Sequence, residues 1–193
     1  MELEKIKKIA GEKGYKIFEN DSKDYNLNIW GFRKNLSSNK FDDLMVVFWK
    51  HQGVWIKKEY PITTDPGVYY LRNPIKGTKG TGALVEGQHE GCWQIGKHNG
   101  KYDALVQVKP LPFYRDNDKD TLLELDSRTI ETGLWGCNIH RSLEKGEAWF
   151  IENFSAGCQV FKRGKDFAEF MDLCYHARDN WGNNFTYTLI KEK

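Results

Sequence analysis

Several features are scarce or missing in this chain of 193 residues, and each absence excludes a class. Its four cysteines, Cys92, Cys137, Cys158 and Cys174, are too few for a disulfide scaffold. None of them forms a C-x-x-C pair, so neither a zinc ribbon nor a thioredoxin-like motif is expected. Charge of one sign is also missing. Against 29 basic residues stand 27 acidic ones, a net charge of +2, which argues against a general nucleic-acid binder. The longest apolar run, Leu44–Trp49, is far below the ~18 residues that span a bilayer, so no membrane span is expected. The first ten residues alternate charged with apolar side chains and lack the apolar stretch of a secretory signal. The expectation is a chain made soluble in the cytoplasm. The glycine-rich Lys76–Gly82 lacks the G-x-x-x-x-G-K-[S/T] spacing of a phosphate loop and reads as a plain connection. No internal repeat is found.

What is present is a globular composition, 39% hydrophobic and 14% aromatic, which excludes intrinsic disorder. Leu3, Ile6, Ile9 and Ala10 fall at helical spacing and predict a short amphipathic helix over 2–13. Residues 18–42 read as polar and irregular around one apolar stretch, Leu27–Phe32. From Asp43 onward the pattern turns to strands. Leu44–Trp49 and Val54–Glu59 flank a turn. Thr63–Gly67 is a second turn, because Pro66 presets φ and Gly67 accepts unusual φ. Val68–Leu71 reads as the next strand. Trp93–Lys97 and Ala104–Lys109 flank Asn99-Gly100, a strong hairpin signal. Short strands follow at Leu111–Arg115, near Leu134–His140, at Gly157–Phe161 and at Phe185–Leu189. Phe167, Phe170, Met171 and Cys174 predict a helix over about 166–176. The expected fold is mainly β, a sandwich or barrel with one or two short helices. Residues 1–42 form an N-terminal helix and irregular extension, and 43–193 form the main domain.

The richest stretch for chemistry is Gly136–Phe161, in which a histidine precedes Ser-Ala-Gly-Cys. A thiol attacks as the thiolate, so Cys158 needs a nearby base or cation, and His140 on a neighbouring strand can supply one. Gly157 allows close backbone approach and can free N–H groups for an oxyanion. The Ser155 hydroxyl can orient the histidine or the substrate. The same four residues also fit an ordinary buried Cys in a β domain.

His140, fourteen intervening residues and then Ser155-Ala156-Gly157-Cys158 resembles the signature of the L,D-transpeptidase catalytic domain (the YkuD-like family). Leu44–Tyr60 resembles that family's opening hairpin, Thr64-Asp65-Pro66-Gly67-Val68-Tyr69 its Thr-Pro-x-Gly-x-Phe segment, and Gly136–His140 its Gly-Ile-His strand. The likeness runs over about residues 43–175. Ala156 stands where the family usually has His, and Val160 where it usually has Arg or Asn. These departures suit a divergent branch of the kind found in phage-encoded proteins.

The resemblance implies cysteine acyl transfer on peptidoglycan stem peptides, with no cofactor. Cys158 would attack an amide carbonyl next to a D-centre, and His140 would take the thiol proton and return it to the leaving amine. Backbone N–H groups near Gly157 and Cys158 would hold the oxyanion. Water as acceptor makes a peptidase; a second stem-peptide amine makes a transpeptidase. Arg141, Ser142, Asn138 and His98 are the substrate-side candidates, and Trp93, Trp135 and Trp149 the candidate substrate wall. Papain-like peptidases place Cys before His along the chain; here His precedes Cys, as in the transpeptidases. With a wall substrate, the chain would act after lysis-linked release or as part of a virion.

Three rival readings stand beside this one. Cys137-x-x-His140, Cys174-x-His176 and Cys158 offer zinc ligands, although Cys137 and His140 would point to opposite faces of a strand. Asp116, Asp118 and Asp120 alternate as in calcium loops, but the EF-hand glycine and glutamate positions hold Thr121 and Ser127. The aromatic content also suits a non-catalytic cell-wall-binding or virion structural module on the same fold.

Overall fold

The structure, a computed structural model, describes residues 1–20, 22–36 and 39–192. In chain order the elements are α1 (Leu3–Lys13), β1 (Asn28–Arg33), β2 (Asp43–His51), β3 (Val54–Thr63), α2 (Val68–Arg72), β4 (Thr81–Leu84), β5 (Gly87–His98), β6 (Tyr102–Gln107), β7 (Leu111–Asp116), β8 (Glu131–Gly133), β9 (Ile139–Arg141), β10 (Gln159–Phe161), α3 (Gly164–Trp181) and β11 (Phe185–Lys191). Eight strands close a barrel in the order β1-β11-β5-β6-β9-β10-β3-β2, and β4-β7-β8 form a second, small sheet. The protein is mainly β with minor helices, as its sequence pattern predicts. Among the described residues, no helix is long and apolar enough to cross a membrane.

The apolar run of β2 is continuous because both of its faces are covered. Met45, Val47 and Trp49 join the barrel interior, while Val46 and Phe48 point outward to Trp30, Phe32 and the α1 residues Ile6 and Ala10. Burying each large side chain of that outer layer stabilises the fold by roughly 1.5–3 kcal/mol. Helix α1 ends where Gly14 adopts φ 68°, the left-handed conformation of a helix C-terminus. Helix α3 drives Phe167, Phe170, Met171 and Cys174 into the barrel core, where Phe170 meets Phe161 at 5.0 Å between ring centroids.

The expected hairpin at Asn99-Gly100 forms, with β5 and β6 paired so that His98 faces Tyr102. Asn99 and Gly100 take positive φ, 50° and 71°, within the three-residue connection Asn99–Lys101. Three expectations need correction. The stretch around Leu27–Phe32, read as irregular, is β1, paired antiparallel to β2 and parallel to β11. The segment on the N-terminal side of residue 43 therefore supplies one strand of the barrel and the helix over its outer face. Val68–Leu71, read as a strand, opens the short helix α2; the Gly67 carbonyl accepts from Tyr70 N and Leu71 N, and Leu71 is buried against Ala83 and Leu123. The β-branched and aromatic composition favours a strand, but the turn imposed by Pro66-Gly67 leads into a helix. The end of the glycine-rich connection is β4, paired with β7.

A charged network lies inside the barrel end beside these turns. Arg33 is fully buried. Its Nε donates to Thr64 Oγ1 (2.9 Å) and approaches Asp65 Oδ1 (3.1 Å), and its Nη1 reaches Glu86 Oε1 at 2.8 Å. Asp43 accepts from Thr64 N, Thr64 Oγ1 and Lys34 N. Burial raises the Asp65 carboxyl to about 7, against the lowering pull of Arg33.

Candidate active site

Strands β9 and β10 run parallel, with Ile139 opposite Gln159 and His140 opposite Val160. One step before the ladder, Gln159 N donates to Asn138 O at 3.0 Å. The register therefore brings the start of one expected motif, Asn138 to His140, beside the end of the other, Gly157-Cys158. The small sheet supplies the facing wall through Gly80–Gly82, Phe113 and Arg115. Between them lies a cleft of about 460 Å³ lined by both His140 and Cys158.

The turn that carries Cys158 is built by Ser155 and Gly157. Ser155 is fully buried; its hydroxyl donates to Cys158 O (3.0 Å) and accepts from Gly157 N (3.1 Å). It holds its own turn and does not orient His140. The Gly157 N–H is thereby committed, which corrects its expected availability for an oxyanion. Gly157 has φ 118°, and a Cβ there would lie 2.3 Å from Gly82 O, so the site admits only glycine. Gly67 N donates to Ser155 O at 2.9 Å, tying the Asp65–Gly67 turn to the turn that carries Cys158.

Cys158 is the one cysteine of the four that is not buried. Its thiol donates to Gly136 O at 3.4 Å. Cys137, on the other side of the ladder, is in the core and donates to Gly157 O at 3.6 Å. Burial pushes the Cys158 thiol up to about 11, while the backbone N–H of Asn138 at the sulfur pulls the other way. His140 is almost fully buried, and burial with the His98 ring beside it takes the imidazole down to about 3. The resting pair is thus a neutral thiol and a neutral imidazole. The sequence expectation of a histidine that lowers the thiol pKa is corrected: burial raises it, and the pull downward comes from the Asn138 backbone N–H.

His140 Nδ1 lies 2.8 Å from Arg141 O. A carbonyl only accepts, so Nδ1 carries the proton and Nε2 is the bare, basic nitrogen. The Tyr102 hydroxyl lies 3.4 Å from both Nδ1 and Arg141 O. The His98 ring stacks on His140, with centroids 4.1 Å apart and planes at 22°.

The remaining expected residues divide. His98, Asn138, Arg141 and Ser142 all line the cleft. Asn138 spends its side chain inside the protein, accepting from Gln107 N at 3.0 Å and donating to His98 Nδ1 at 3.0 Å. The Ser142 hydroxyl donates to Lys162 O. Arg141 lays its guanidinium over the Tyr102 ring at 4.2 Å and pairs with exposed Glu144 at 3.2 Å. Of the three tryptophans only Trp135 lines the cleft, with the Arg115 guanidinium stacked on it at 4.0 Å. Trp93 is core, donating to Cys137 O, and Trp149 is exposed beside Lys162.

The rival metal sites do not assemble: among the described residues no three His, Cys, Asp or Glu side chains gather in metal-holding geometry. Cys174 faces the barrel core and His176 stacks on Tyr25, away from Cys137 and His140. Asp116, Asp118 and Asp120 accept from the backbone N–H groups of Glu124, Asp120 and Leu122, closing the loop on itself.

Four residues of the site carried no sequence motif. Tyr102 faces His98 across the hairpin, one residue beyond the partner that a two-residue Asn99-Gly100 turn predicts. Lys101 sits in the same hairpin turn. Gln107 anchors the approach to β9, its Oε1 accepting from both Trp135 N and Cys137 N. Arg115 is brought in by the small sheet and had no signal. Comparison with known protein families, curated proteins and solved structures finds no match for this chain.

Proposed function

We propose that this protein is a cysteine-dependent acyl-transfer enzyme acting on peptidoglycan stem peptides, with Cys158 as nucleophile and His140 as base. The observation that carries the cysteine chemistry is the tautomer of His140: Nδ1–H is spent on the Arg141 carbonyl, leaving Nε2 bare in the cleft that also holds the one cysteine that is not buried. The choice of a wall peptide rests on the resemblance of His140 and Ser155-Ala156-Gly157-Cys158 to the L,D-transpeptidase signature. The cleft's charge agrees with it. Its described lining includes Lys101, Arg115 and Arg141 and no carboxylate, which suits a substrate bearing free carboxylates.

Because thiol and imidazole rest neutral, the proton leaves Cys158 as the sulfur attacks and is not transferred beforehand. The C–S bond forms as Sγ adds to the amide carbonyl, and the proton passes to His140 Nε2. The Arg141 carbonyl steadies the imidazolium through Nδ1–H. With Gly157 N–H engaged, the oxyanion donor in this scheme is the Cys158 N–H. The tetrahedral adduct then collapses, the C–N bond breaks, and the amine leaves with the proton from His140. Water or a second amine resolves the thioester.

Mass spectrometry of purified muropeptides incubated with the protein tests this. Cleaved or exchanged stem peptides with the wild type, and none with Cys158→Ala, are expected. A folded wild-type protein that leaves every muropeptide intact overturns the reading. The neutral thiol favours a second reading, a wall-binding module with its cysteine unused; sedimentation with intact sacculi, equal for wild type and Cys158→Ala and without turnover, would support it.

A further inference from the structure

We infer that His98 is a positioning residue for the base: its ring, locked in one tautomer by Asn138, stacks on His140 and holds that imidazole oriented and neutral for proton removal. This rests on the reading of His140 as the base.

The lock is read from donors. The backbone N–H of Gln107 donates to Asn138 Oδ1 at 3.0 Å, so the other end of the amide is the NH2 group. That NH2 lies 3.0 Å from His98 Nδ1, which must therefore accept and be unprotonated. The ring proton is on Nε2, and the exposed Asn99 side chain, 2.9 Å away, meets it only with its amide turned to present the oxygen. The Nδ1 edge of His98 is thus spent within the protein on Asn138, which assigns this ring to support of the site.

Protonating His98 would place a new N–H against the Asn138 NH2, so this ring resists charge. Burial lowers its basicity, and Lys101 in the same hairpin opposes the charge further. The titratable and charged groups facing the stacked pair come from each neighbouring element. From the β5–β6 turn comes Lys101, from β6 Tyr102, from β9 Arg141 above the Tyr102 ring, and from the turn before β10 Cys158. No carboxylate is among them to favour an imidazolium. With the rings 4.1 Å apart, His98 keeps water from one face of His140, and water is what a charged imidazole needs. The other ring edge is fixed by Arg141 O. His140 is therefore held by a stack on its face and a hydrogen bond at its edge.

The variants His98→Ala and His98→Phe separate this from a packing role. Ala removes the stack and admits water; Phe keeps a ring and loses the Asn138 bond. In the wild type, the His140 ring carbon and nitrogen NMR signals are expected to stay flat from about pH 5 to 8. In His98→Ala they titrate within that window, and in His98→Phe they stay flat. With muropeptide as substrate, His98→Ala is expected to lower kcat about 10- to 100-fold with KM nearly unchanged. The acid limb of its pH profile moves upward, and His98→Phe recovers most of the loss. Flat His140 signals in folded His98→Ala overturn the inference, as does a rise in KM with kcat intact, which would make His98 a substrate contact. If the wild type turns over no muropeptide but the titration moves as described, the enzyme reading fails while the ring coupling holds.

Discussion

Around Arg33 the barrel buries a guanidinium with Asp43 and Asp65 beside the partly buried Glu86; around His140 the neighbouring cleft holds two imidazoles, one buried and one partly buried, beside a thiol and carries no formal charge on any of them. The two clusters touch the same turn, since Gly67 N bonds to Ser155 O directly after the Asp65-Pro66 pair. The first is tolerable because the guanidinium is fully partnered: it has two carboxylates and two carbonyls, and Thr64 relays between Arg33 and Asp43. The second avoids the desolvation cost by staying neutral. A paired cluster is rigid and fails when one member is removed. A neutral cluster can hold a reactive group in a low dielectric until a substrate supplies the reason to move a proton.

The largest effect expected at the neutral cluster is on turnover alone. Cys158→Ala should abolish muropeptide conversion, a fall of at least about 10⁴-fold, while its melting temperature stays within about 2 °C of wild type. Cys158 is partly buried, with Gly136 O as the acceptor of its thiol. Calorimetry beside the product assay checks both halves. At the charged cluster the pattern reverses. Arg33→Met should destabilise the fold by about 3–5 kcal/mol in urea unfolding, because it strands buried carboxylates. Its effect on turnover at a temperature where it remains folded should be modest.

Stability against pH sharpens the contrast, because the two clusters slope in opposite directions. The Asp65 carboxyl is raised from 3.8 to about 7 in the folded protein, so the native state binds the extra proton and stability falls as pH rises from about 4 to 7. His140 is lowered from 6.5 to about 3, so the unfolded chain binds the extra proton and stability falls as pH drops through the same window. Each contributes up to ~1.4 kcal/mol per pH unit. Asp65→Asn should leave a stability curve that rises with pH there, and His140→Gln one that falls, in denaturant midpoints measured at pH 4, 5, 6 and 7. The smallest effect is a rate ranking. Iodoacetamide should label Cys158 before Cys92, Cys137 and Cys174, with a rate still climbing at about pH 9–10, because the thiol is held up near 11. Peptide mapping at short times reads this directly.

The elements with a single clear period were legible in the sequence: α1, α3, the β5–β6 hairpin and β11 lie close to where spacing puts them. Leu27–Phe32 was not, because an apolar stretch set among polar residues gives no alternation when both its faces are covered. Val68–Leu71 failed for another reason: strand-forming side chains followed a turn whose geometry sets the chain into a helix. At the site, His140 and Cys158 were visible as a spaced pair, and Gly157 as a forced glycine. Their environment was not. The shift of both groups away from an ion pair comes from burial, with His98 adding to it at His140, and His98 reaches the site only through hairpin register. Ser155 looked like a polar helper for the histidine, yet its hydroxyl is consumed two and three residues downstream.

Strand β11 sits between β1 and β5, paired parallel to the first and antiparallel to the second. During synthesis β1 and β5 are therefore made with a vacant lane between them, and the residues that fill it, 185 to 191, come after every other strand. The cleft strands β9 and β10 also precede it. Until β11 arrives, two strand edges stand open in a chain whose other parts are already available to pair. Such a late closing step makes for slow folding and leaves unpaired edges open to other chains. Deleting β11 would leave an open sheet, with β1 and β5 prone to pair with another molecule.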